Sequence, residues 1–285
     1  MKSPGKIGVG IITCNRPEML KKCCLSLKDN ATIDEIIIID DGTERVSPNW
    51  FLENRIFHTE NGELEINNRV SHNYTNLGVG ESKNKALNHL LDTRCDHIFL
   101  IEDDIFIKDP TVFLKYIEAS LVSGIQHFNF SQHGLMNKTF DGRKTPNPRL
   151  IVDYGGVKIP LYPHCVGAFS YYSKYCLDFV GLLDERYVNA CEHVDHTYQI
   201  IKKEMHPPFW YFADIENSWE YLGDEEWSLA NSTISSKPNH QQMMRDADKI
   251  FVETHGHLPV ETPQVGEEDV IKTLKEIKKT WTLQL

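Results

Sequence analysis

Three consecutive carboxylates, Glu102, Asp103 and Asp104, interrupt a stretch of the chain that is otherwise strongly apolar. β-Branched and aromatic residues fill positions 98–101 before them and 105–107 after them, and short runs of this kind predict buried strands. Carboxylates at the end of a buried strand are costly unless a positive group meets them. A hard divalent cation, which takes oxygen ligands, would be a suitable partner. The alternative is a solvated acidic turn, which the apolar flanks disfavour.

A second group of ionisable side chains places two acids and two histidines within five consecutive residues. If a helix begins near Cys191, then Glu192, Asp195 and His196 share one face, because residues three and four apart are neighbours on a helix. The alternative is that the acids only favour the start of the helix through its dipole. Farther along the chain, His257 in a His-Gly-His segment is a weaker candidate for a metal ligand.

The sequence that precedes residues 102–104 predicts the sheet that positions these three carboxylates. Residues 6–13 and 33–39 have the β-branched runs of strands, and residues 18–27 between them carry a helical stripe of apolar positions. A strand–helix–strand unit predicts a parallel sheet, in which ligands bind beyond the carboxyl ends of the strands. The two acids at that edge suit hydrogen bonds to a nucleobase or ribose, although an ordinary Asp-Gly turn is the alternative. The edge would carry Thr13, Asn15, Arg16, Asp40 and Asp41.

A glycine-rich segment leads into the next predicted helix. Gly78 and Gly80 precede its apolar face, and Lys83 lies in its first turns. The start of a helix after glycines can approach a phosphate closely, and a lysine there would add a positive charge. The signal is weak by itself, since the segment lacks both the full dinucleotide fingerprint and the P-loop pattern.

Length and composition limit the classes of protein. The 285 residues, 40% of them hydrophobic, suit one large α/β domain or two halves that share a core. A formal net charge of −11 disfavours non-specific binding of duplex nucleic acid, which needs clustered lysine and arginine. The seven cysteines include no C-x-x-C pair and indicate neither a disulfide framework nor a zinc–thiolate site. We expect a cytoplasmic protein, because no apolar run could span a bilayer and the N-terminus lacks a signal-peptide pattern.

Taken together and in order, these segments resemble the family-2-type glycosyltransferases, which have the GT-A fold. The acidic motif is similar to that of N-acetylglucosaminyltransferase I, and Asp-Asp-Gly-Thr resembles the family's Asp-Asp-Gly-Ser. The resemblance covers roughly residues 5 to 205 and depends on the combination, since no single motif is decisive. Its five segments are residues 11–17, 37–43, 76–84, 102–104 and 183–195.

The resemblance implies an architecture. We expect an α/β fold of the GT-A, Rossmann-like kind, with a mostly parallel central sheet flanked by helices and a helical or irregular C-terminal extension. Residues 1–110 would form the half that binds the nucleotide sugar, and residues 111–225 the acceptor-binding half of the same domain. Residues 226–285 would form the extension, which ends in a helix.

The resemblance also implies roles for single residues. Asp104 would bind Mn²⁺ or Mg²⁺, with His257 as the further candidate ligand. The cation would neutralise the diphosphate leaving group. The residues expected to hold the nucleotide are Thr13, Asn15, Arg16, Asp40, Asp41, Gly78, Lys83, Glu102 and Asp103.

One position departs from the family pattern. The acid expected as catalytic base directly after Glu192 is His193 in this chain. A neutral imidazole can accept a proton from an acceptor hydroxyl, so His193 is a candidate base. Glu192 or Asp195 could serve instead. We therefore expect inversion at the anomeric carbon, and a retaining mechanism stays open.

The expected function is metal-dependent transfer of a sugar from a nucleoside-diphosphate sugar, with UDP as the commonest carrier in the family. The acceptor would be a hydroxyl of a saccharide or other glycoconjugate. One alternative is a catalytically silent glycan-binding protein with the same fold, and another is a glycosyltransferase that acts on a modified nucleobase. A nucleotidyltransferase would need an N-terminal glycine-rich loop with basic residues, which the strand around Gly8 and Gly10 does not offer.

Overall fold

A computed structural model describes residues 5–28, 30, 32–43, 70–139, 144–225 and 237–282, and the backbone of 56–59 and 62–65. The helices are α1 (Pro17–Ser26), α2 (Val79–Asp92), α3 (Val112–Ser123), α4 (Lys174–Val180), α5 (Glu192–Lys202), α6 (Ser218–Tyr221), α7 (His240–His255) and α8 (Glu267–Trp281). A 3₁₀ turn, Pro259–Glu261, lies between the last two. The strands are β1 (Ile7–Thr13), β2 (Glu35–Asp40), β3 (Ile56–Thr59), β4 (Gly62–Glu65), β5 (Val70–His72), β6 (His97–Glu102), β7 (Ile105–Ile107), β8 (His127–Asn129), β9 (Leu150–Asp153), β10 (Lys158–Tyr162), β11 (Phe169–Ser173), β12 (Phe212–Ala213) and β13 (Leu222–Asp224).

The main sheet has six strands in the order β5-β2-β1-β6-β11-β8. Strands β5, β2, β1 and β6 are parallel, and β11 runs antiparallel to both of its neighbours. Every residue of β1 is buried, as a central strand with helices on both sides requires. The expected mostly parallel α/β sheet is confirmed.

Strand register brings the predicted polar residues to one edge. Thr13 is paired with Asp40 across β1 and β2, and Ile12 is paired with Glu102 across β1 and β6. The carboxyl ends of all three strands therefore meet. Helix α2 can lie close to this sheet because β1 contains glycine: a Cβ on Gly10 would come within 2.8 Å of the Cβ of Ala86.

The second half of the domain completes the sheet and adds smaller ones. Strand β11 packs aromatic side chains between the sheet and α3, where the rings of Phe99 and Phe113 meet edge to face, 4.8 Å between centroids. An antiparallel sheet, β12-β10-β9, and the pair β13-β7 lie outside the main sheet. Buried residues of both halves belong to one continuous apolar core, which fits two halves of a single domain.

The described part of the C-terminal extension consists of α7, the 3₁₀ turn and α8. Helix α8 buries its apolar stripe, and the indole Nε1 of Trp281 donates a hydrogen bond to the carbonyl of Glu204 at 2.9 Å. Helix α7 packs Ala247 and Phe251 against Tyr187 in a second small core. Within the described ranges, no helix has both the length and the apolar character needed to cross a membrane.

Candidate active site

A cavity of about 230 Å³ opens at the carboxyl ends of β1, β2 and β6. We call it the edge cavity. Five of the residues predicted to hold a nucleotide line it, and so do four other polar or ionisable residues. The predicted ones are Thr13, Asn15, Arg16, Asp41 and Glu102; the others are Cys14, Asn76, Asn189 and Lys237.

The acidic motif meets its positive partner within the protein. Asp103 is buried, accepts a hydrogen bond from the hydroxyl of Thr13 at 2.6 Å and forms an ion pair with Arg16. The other guanidinium nitrogen of Arg16, Nη1, donates to Oδ2 of Asp104 at 3.0 Å. Burial raises the pKa of Asp103 to about 7, although Arg16 acts in the opposite direction. Arg16 thus spans two adjacent carboxylates.

Asp104 retains one oxygen that could bind a cation. Its Oδ1 is buried and has no hydrogen-bond partner within the described parts of the chain. Those parts contain no group of three or more His, Cys, Asp or Glu side chains arranged to hold a metal. The unpartnered Oδ1 of Asp104 is an oxygen ligand of the type that a hard divalent cation takes, and it is the one observation among the described residues that fits such an ion.

His257, the other predicted metal ligand, lies in a different environment. Its Nδ1 donates to the carbonyl of Leu258 at 2.8 Å, and its Nε2 accepts the hydroxyl of Tyr198 at 3.1 Å. Both ring nitrogens are engaged by the protein, so this geometry offers no free nitrogen to a metal.

The two predicted acids after β2 hold local structure. Asp41 accepts hydrogen bonds from the backbone N–H groups of Leu77 at 2.8 Å and Gly78 at 3.0 Å, and from the amide of Asn73 at 3.0 Å. Gly78 has φ +98°, and a Cβ there would lie 2.2 Å from the carbonyl oxygen of Val188. Only glycine fits this tight passage between Asp41 and the second half of the domain.

Its neighbour Asp40 is buried as well. The Asp40 carboxylate bonds to Nδ1 of His72 at 2.5 Å and to the hydroxyl of Thr43. Asp40 thus lies just behind the residues that line the edge cavity.

Lys83 is almost completely buried and connects the two halves of the site. Its ammonium donates to Glu102 at 3.0 Å, to Glu192 at 2.9 Å and to the carbonyl of Gly167 at 3.1 Å. Burial opposes the charge, but Glu192 and Glu102 outweigh it and raise the pKa of Lys83 above its ordinary value. The three protons of the ammonium are all held by the protein.

Glu192 and His193 form a pair at the start of α5. Nδ1 of His193 lies 3.3 Å from Oε1 of Glu192. Burial raises the pKa of Glu192, but Lys83 and His193 act more strongly in the other direction and hold it well below its usual range. The ring of His193 packs directly on Gly167, where a Cβ would come within 2.6 Å of it. Since Glu192 stays ionised and can only accept, Nδ1 of His193 is the donor in this pair, and in the neutral form of the ring the lone pair is therefore on Nε2.

Asp195 shares the helix with Glu192 but has different partners. It is completely buried, and its carboxylate accepts hydrogen bonds from Nε2 of His255 at 2.6 Å, from the amide of Gln199 at 2.7 Å and from the hydroxyl of Tyr187 at 3.3 Å. His255 belongs to α7. The structure therefore brings Glu192 to the edge of the sheet and Asp195 to the C-terminal extension.

Of the four other polar lining residues, Cys14 and Asn76 lie within motif segments without an assigned role, whereas Asn189 and Lys237 carry little local signal. Cys14 and Asn76 meet through a hydrogen bond from the amide to the thiol sulfur, 3.4 Å long. Asn189 comes from the turn before α5, and Lys237 comes from the polar segment before α7, about 220 positions after the first strand. Only the folded chain shows that these segments meet.

A parallel sheet that ends in carboxylates, faced by an acid–histidine pair from the second half, defines the class of sugar-transferring enzymes with the GT-A fold. The chain belongs to glycosyl transferase family 2, whose sequence profile matches residues 8–177, more than half of the chain. The protein is therefore a transferase enzyme, and the expected family is confirmed.

Known proteins similar to this chain agree with that assignment. It is 26% identical over 240 residues to an uncharacterized glycosyltransferase of Acanthamoeba polyphaga mimivirus, which covers 80% of this chain and 85% of that protein. A crystal structure of S. aureus TarS aligns with a TM-score of 0.52 and 16% identity over 95% of this chain, but the match spans only 42% of the TarS chain. TarS 1-349 in complex with UDP-GlcNAc aligns with a TM-score of 0.51 and 13% identity, over 95% of this chain and 71% of that one. At such identities the two structures show the fold alone.

Proposed function

We propose that this glycosyltransferase transfers a sugar from a nucleoside-diphosphate sugar to a hydroxyl of a saccharide or other glycoconjugate, with inversion at the anomeric carbon. The observation that best supports the proposal is the connection through Lys83. One buried ammonium joins Glu102, which lines the edge cavity, to Glu192, which orients His193. A donor in the cavity and a base on α5 would thus be held at a fixed relative position.

The residue types at the edge cavity support a nucleotide as its occupant. Carboxylates and amides there suit the hydrogen-bond donors of a base and ribose. Asp104 does not line the cavity but bonds to the lining residue Arg16, and its unpartnered oxygen suits a cation bound to a diphosphate. The UDP-GlcNAc complex of TarS makes uridine nucleotides the first donors to test.

His193 is the base that the geometry favours among the three candidates. Glu192 is a weak base because its charge is stabilised by Lys83, and Asp195 is buried beneath α7. We assign to Glu192 the task of holding the imidazole with its proton on Nδ1. The acceptor oxygen then bonds to the anomeric carbon as its proton passes to Nε2 of His193. The bond from that carbon to the diphosphate oxygen breaks, and the diphosphate leaves with the electron pair.

Asp104 would hold the Mn²⁺ or Mg²⁺ ion. Once bound, such an ion supplies neutralising charge to the diphosphate leaving group. Arg16 orients Asp104 through its hydrogen bond to Oδ2, which leaves Oδ1 available to such an ion.

The test is release of nucleoside diphosphate from a panel of nucleotide sugars, with Mn²⁺, with Mg²⁺ and with a chelator. We expect turnover with one donor class that requires the cation. The Asp104→Asn variant should lose about a hundredfold in metal-dependent rate, the scale of removing one charged group that stabilises the transition state. Asp92→Asn is a matched control, because Asp92 is a solvent-exposed carboxylate at the end of α2.

Two results would contradict the proposal. The first is full metal-dependent activity in Asp104→Asn. The second is a wild-type chain that neither binds nor cleaves any nucleotide sugar, which would favour the catalytically silent glycan-binding alternative. Acceptor panels of saccharides and of modified nucleosides, run with the active donor, would then separate the two acceptor classes.

A further inference from the structure

The acidic side chains at or behind the edge cavity outnumber the basic ones that the structure describes there, so this edge carries a net negative charge. Arg16 is engaged by Asp103 and Asp104, and Lys83 gives its three protons to protein oxygens. Neither of these side chains is therefore available to neutralise a bound anion. The acids at or behind this edge are Asp40, Asp41, Glu102, Asp103 and Asp104. A nucleoside diphosphate is itself anionic, so a positive side chain in addition to the proposed divalent cation would strengthen its binding here.

Lys237 is the described cation that could supply this additional positive charge. It lines the edge cavity together with Cys14 and Arg16. Across the described ranges its ammonium has neither an ion pair nor a side-chain hydrogen bond to the protein. Its positive charge reaches the Cys14 thiol, whose pKa is raised chiefly by burial and is pulled down in part by Lys237. Lys237 therefore faces the cavity with its charge uncompensated.

The backbone of Lys237 is held in place by the helix that follows it. Its carbonyl accepts a hydrogen bond from the N–H of His240, the first residue of α7, at 3.0 Å. Helix α7 is fixed to the catalytic half by Phe251 in the second core and by the hydrogen bond between His255 and Asp195. The backbone of Lys237 is thus joined through α7 to the catalytic half, which limits the backbone entropy lost when its ammonium contacts a ligand.

We propose that Lys237 binds the diphosphate of the donor, so that the C-terminal extension supplies part of the nucleotide site. This inference rests on the proposed function and adds one residue to it. The ammonium forms a charge-assisted hydrogen bond to a diphosphate oxygen and stabilises the charge that this group gains as it leaves. The role is different from that of Arg16, which organises the acidic motif.

The experiment measures dissociation constants of uridine, UMP and UDP by titration calorimetry, with Mg²⁺, for the wild type and for Lys237→Ala, Lys237→Arg and Lys237→Glu. If UDP is not the donor nucleotide, the nucleoside, monophosphate and diphosphate of the base selected by the donor panel replace this series. Lys249→Ala is the matched control, since Lys249 lies on α7, the helix that follows Lys237, is exposed and pairs with Asp246. Melting temperatures of all variants check that the fold is kept.

We expect Lys237→Ala to weaken UDP binding about tenfold, the size of one charge-assisted hydrogen bond, and to leave uridine binding unchanged. Lys237→Arg should bind UDP within about threefold of the wild type, and Lys237→Glu should bind it worse than the alanine variant because of repulsion. The dependence of UDP affinity on salt should be smaller in Lys237→Ala than in the wild type.

Equal UDP affinity in the wild type and in Lys237→Ala would overturn this inference and leave the proposed function intact. An equal loss for uridine and UDP would also overturn it, because the lysine would then act on the shape of the pocket and not on the phosphates. If the wild type binds no nucleoside diphosphate at all, the proposed function fails and this inference fails with it.

Discussion

Helix α5 carries two carboxylates that each pair with a histidine, and the two pairs differ in their surroundings. In the first, Glu192 lies 3.3 Å from His193, whose side chain is 25% exposed. In the second, Asp195 lies 2.6 Å from His255, whose side chain is only 2% exposed. The pairing is the same, but only the first imidazole can meet a substrate. Access to the ring therefore separates a pair that can move a proton from a pair that joins two elements.

The other partners of each carboxylate support the same distinction. Glu192 is held by the ammonium of Lys83, which keeps it charged and fixed. Asp195 is held by the neutral donors Tyr187 and Gln199 in addition to His255. A carboxylate that orients a base needs a stable charge, whereas an anchoring carboxylate needs enough donors to offset its burial.

The largest effect is expected from His193→Gln. Loss of the imidazole removes the group that we assign as general base, and such groups contribute about a thousandfold in rate. We expect kcat to fall by about that factor while the dissociation constant of the donor nucleotide and the melting temperature stay close to wild type. Single-turnover rates would check this. A variant that keeps more than a tenth of the activity would remove His193 from its assigned role.

Asp195→Ala should act on stability and much less on chemistry. It leaves the donor groups of His255, Tyr187 and Gln199 buried without their acceptor, which costs about 3 kcal/mol of unfolding free energy. We expect kcat at saturating donor and at a temperature below the transition to stay within about threefold, because no reacting atom is touched. Urea unfolding and steady-state kinetics would measure the two quantities.

The matched control for that variant is Asp246→Ala, which removes an exposed carboxylate from α7. Its melting temperature should equal that of the wild type. A loss of kcat in Asp195→Ala as large as the one in His193→Gln would mean that the Glu192–His193 and Asp195–His255 pairs do not have separate catalytic and structural roles.

A smaller effect is expected in the pH dependence of the free energy of unfolding. It comes from His206, which is buried and has no carboxylate partner among the described residues. His206 donates from Nδ1 to the carbonyl of Pro207 and accepts from the N–H of Ala213 at Nε2, and burial lowers its pKa to about 4. The unfolded chain takes up a proton at this residue below about pH 6.5, which the folded chain resists until about pH 4. The free energy of unfolding therefore falls with acidification through this window, by about 1 kcal/mol between pH 6.5 and 5.5 for this residue.

The check is urea unfolding of the wild type and His206→Gln at pH 7.5, 6.5 and 5.5. Burial also lowers the pKa of His127 and of His196, so the wild type should lose more than one histidine's contribution. Between pH 6.5 and 5.5, the free energy of unfolding of the variant should fall by about 1 kcal/mol less than that of the wild type. If the free energy of unfolding falls equally with acidification in both chains, His206 does not titrate as its surroundings indicate.

Much of the donor-side edge could be predicted from the sequence because its determinants are local. Apolar runs predicted β1, β2 and β6, and the rule for parallel sheets placed Thr13, Asp40 and Glu102 at one edge, where the strand register has them. Local patterns also predicted the helix that begins at Glu192. These features follow from side-chain period and from the ends of strands.

The partners of each side chain could not be predicted in the same way. Helical spacing puts Glu192 and Asp195 close together, but it contains no information about which element approaches each of them. Lys83 was expected at the nucleotide, and its direction toward Glu192 depends on how α5 packs against α2. Lys237 lies in a polar segment without periodicity, so its place in the edge cavity depends entirely on the docking of α7.

The reversed direction of β11 has a consequence for how such an enzyme can change. Parallel strands deliver their last residues to the active edge, whereas an antiparallel strand delivers the residues that precede it. Gly167 and Ala168 lie there beside Glu102, whose N–H donates to the carbonyl of Ala168 at 2.8 Å. The segment before β11 can therefore lengthen or change sequence without shifting the register of β1, β2 and β6. Under the proposed function, a change of this segment would alter the acceptor side of the site and leave the donor side in place.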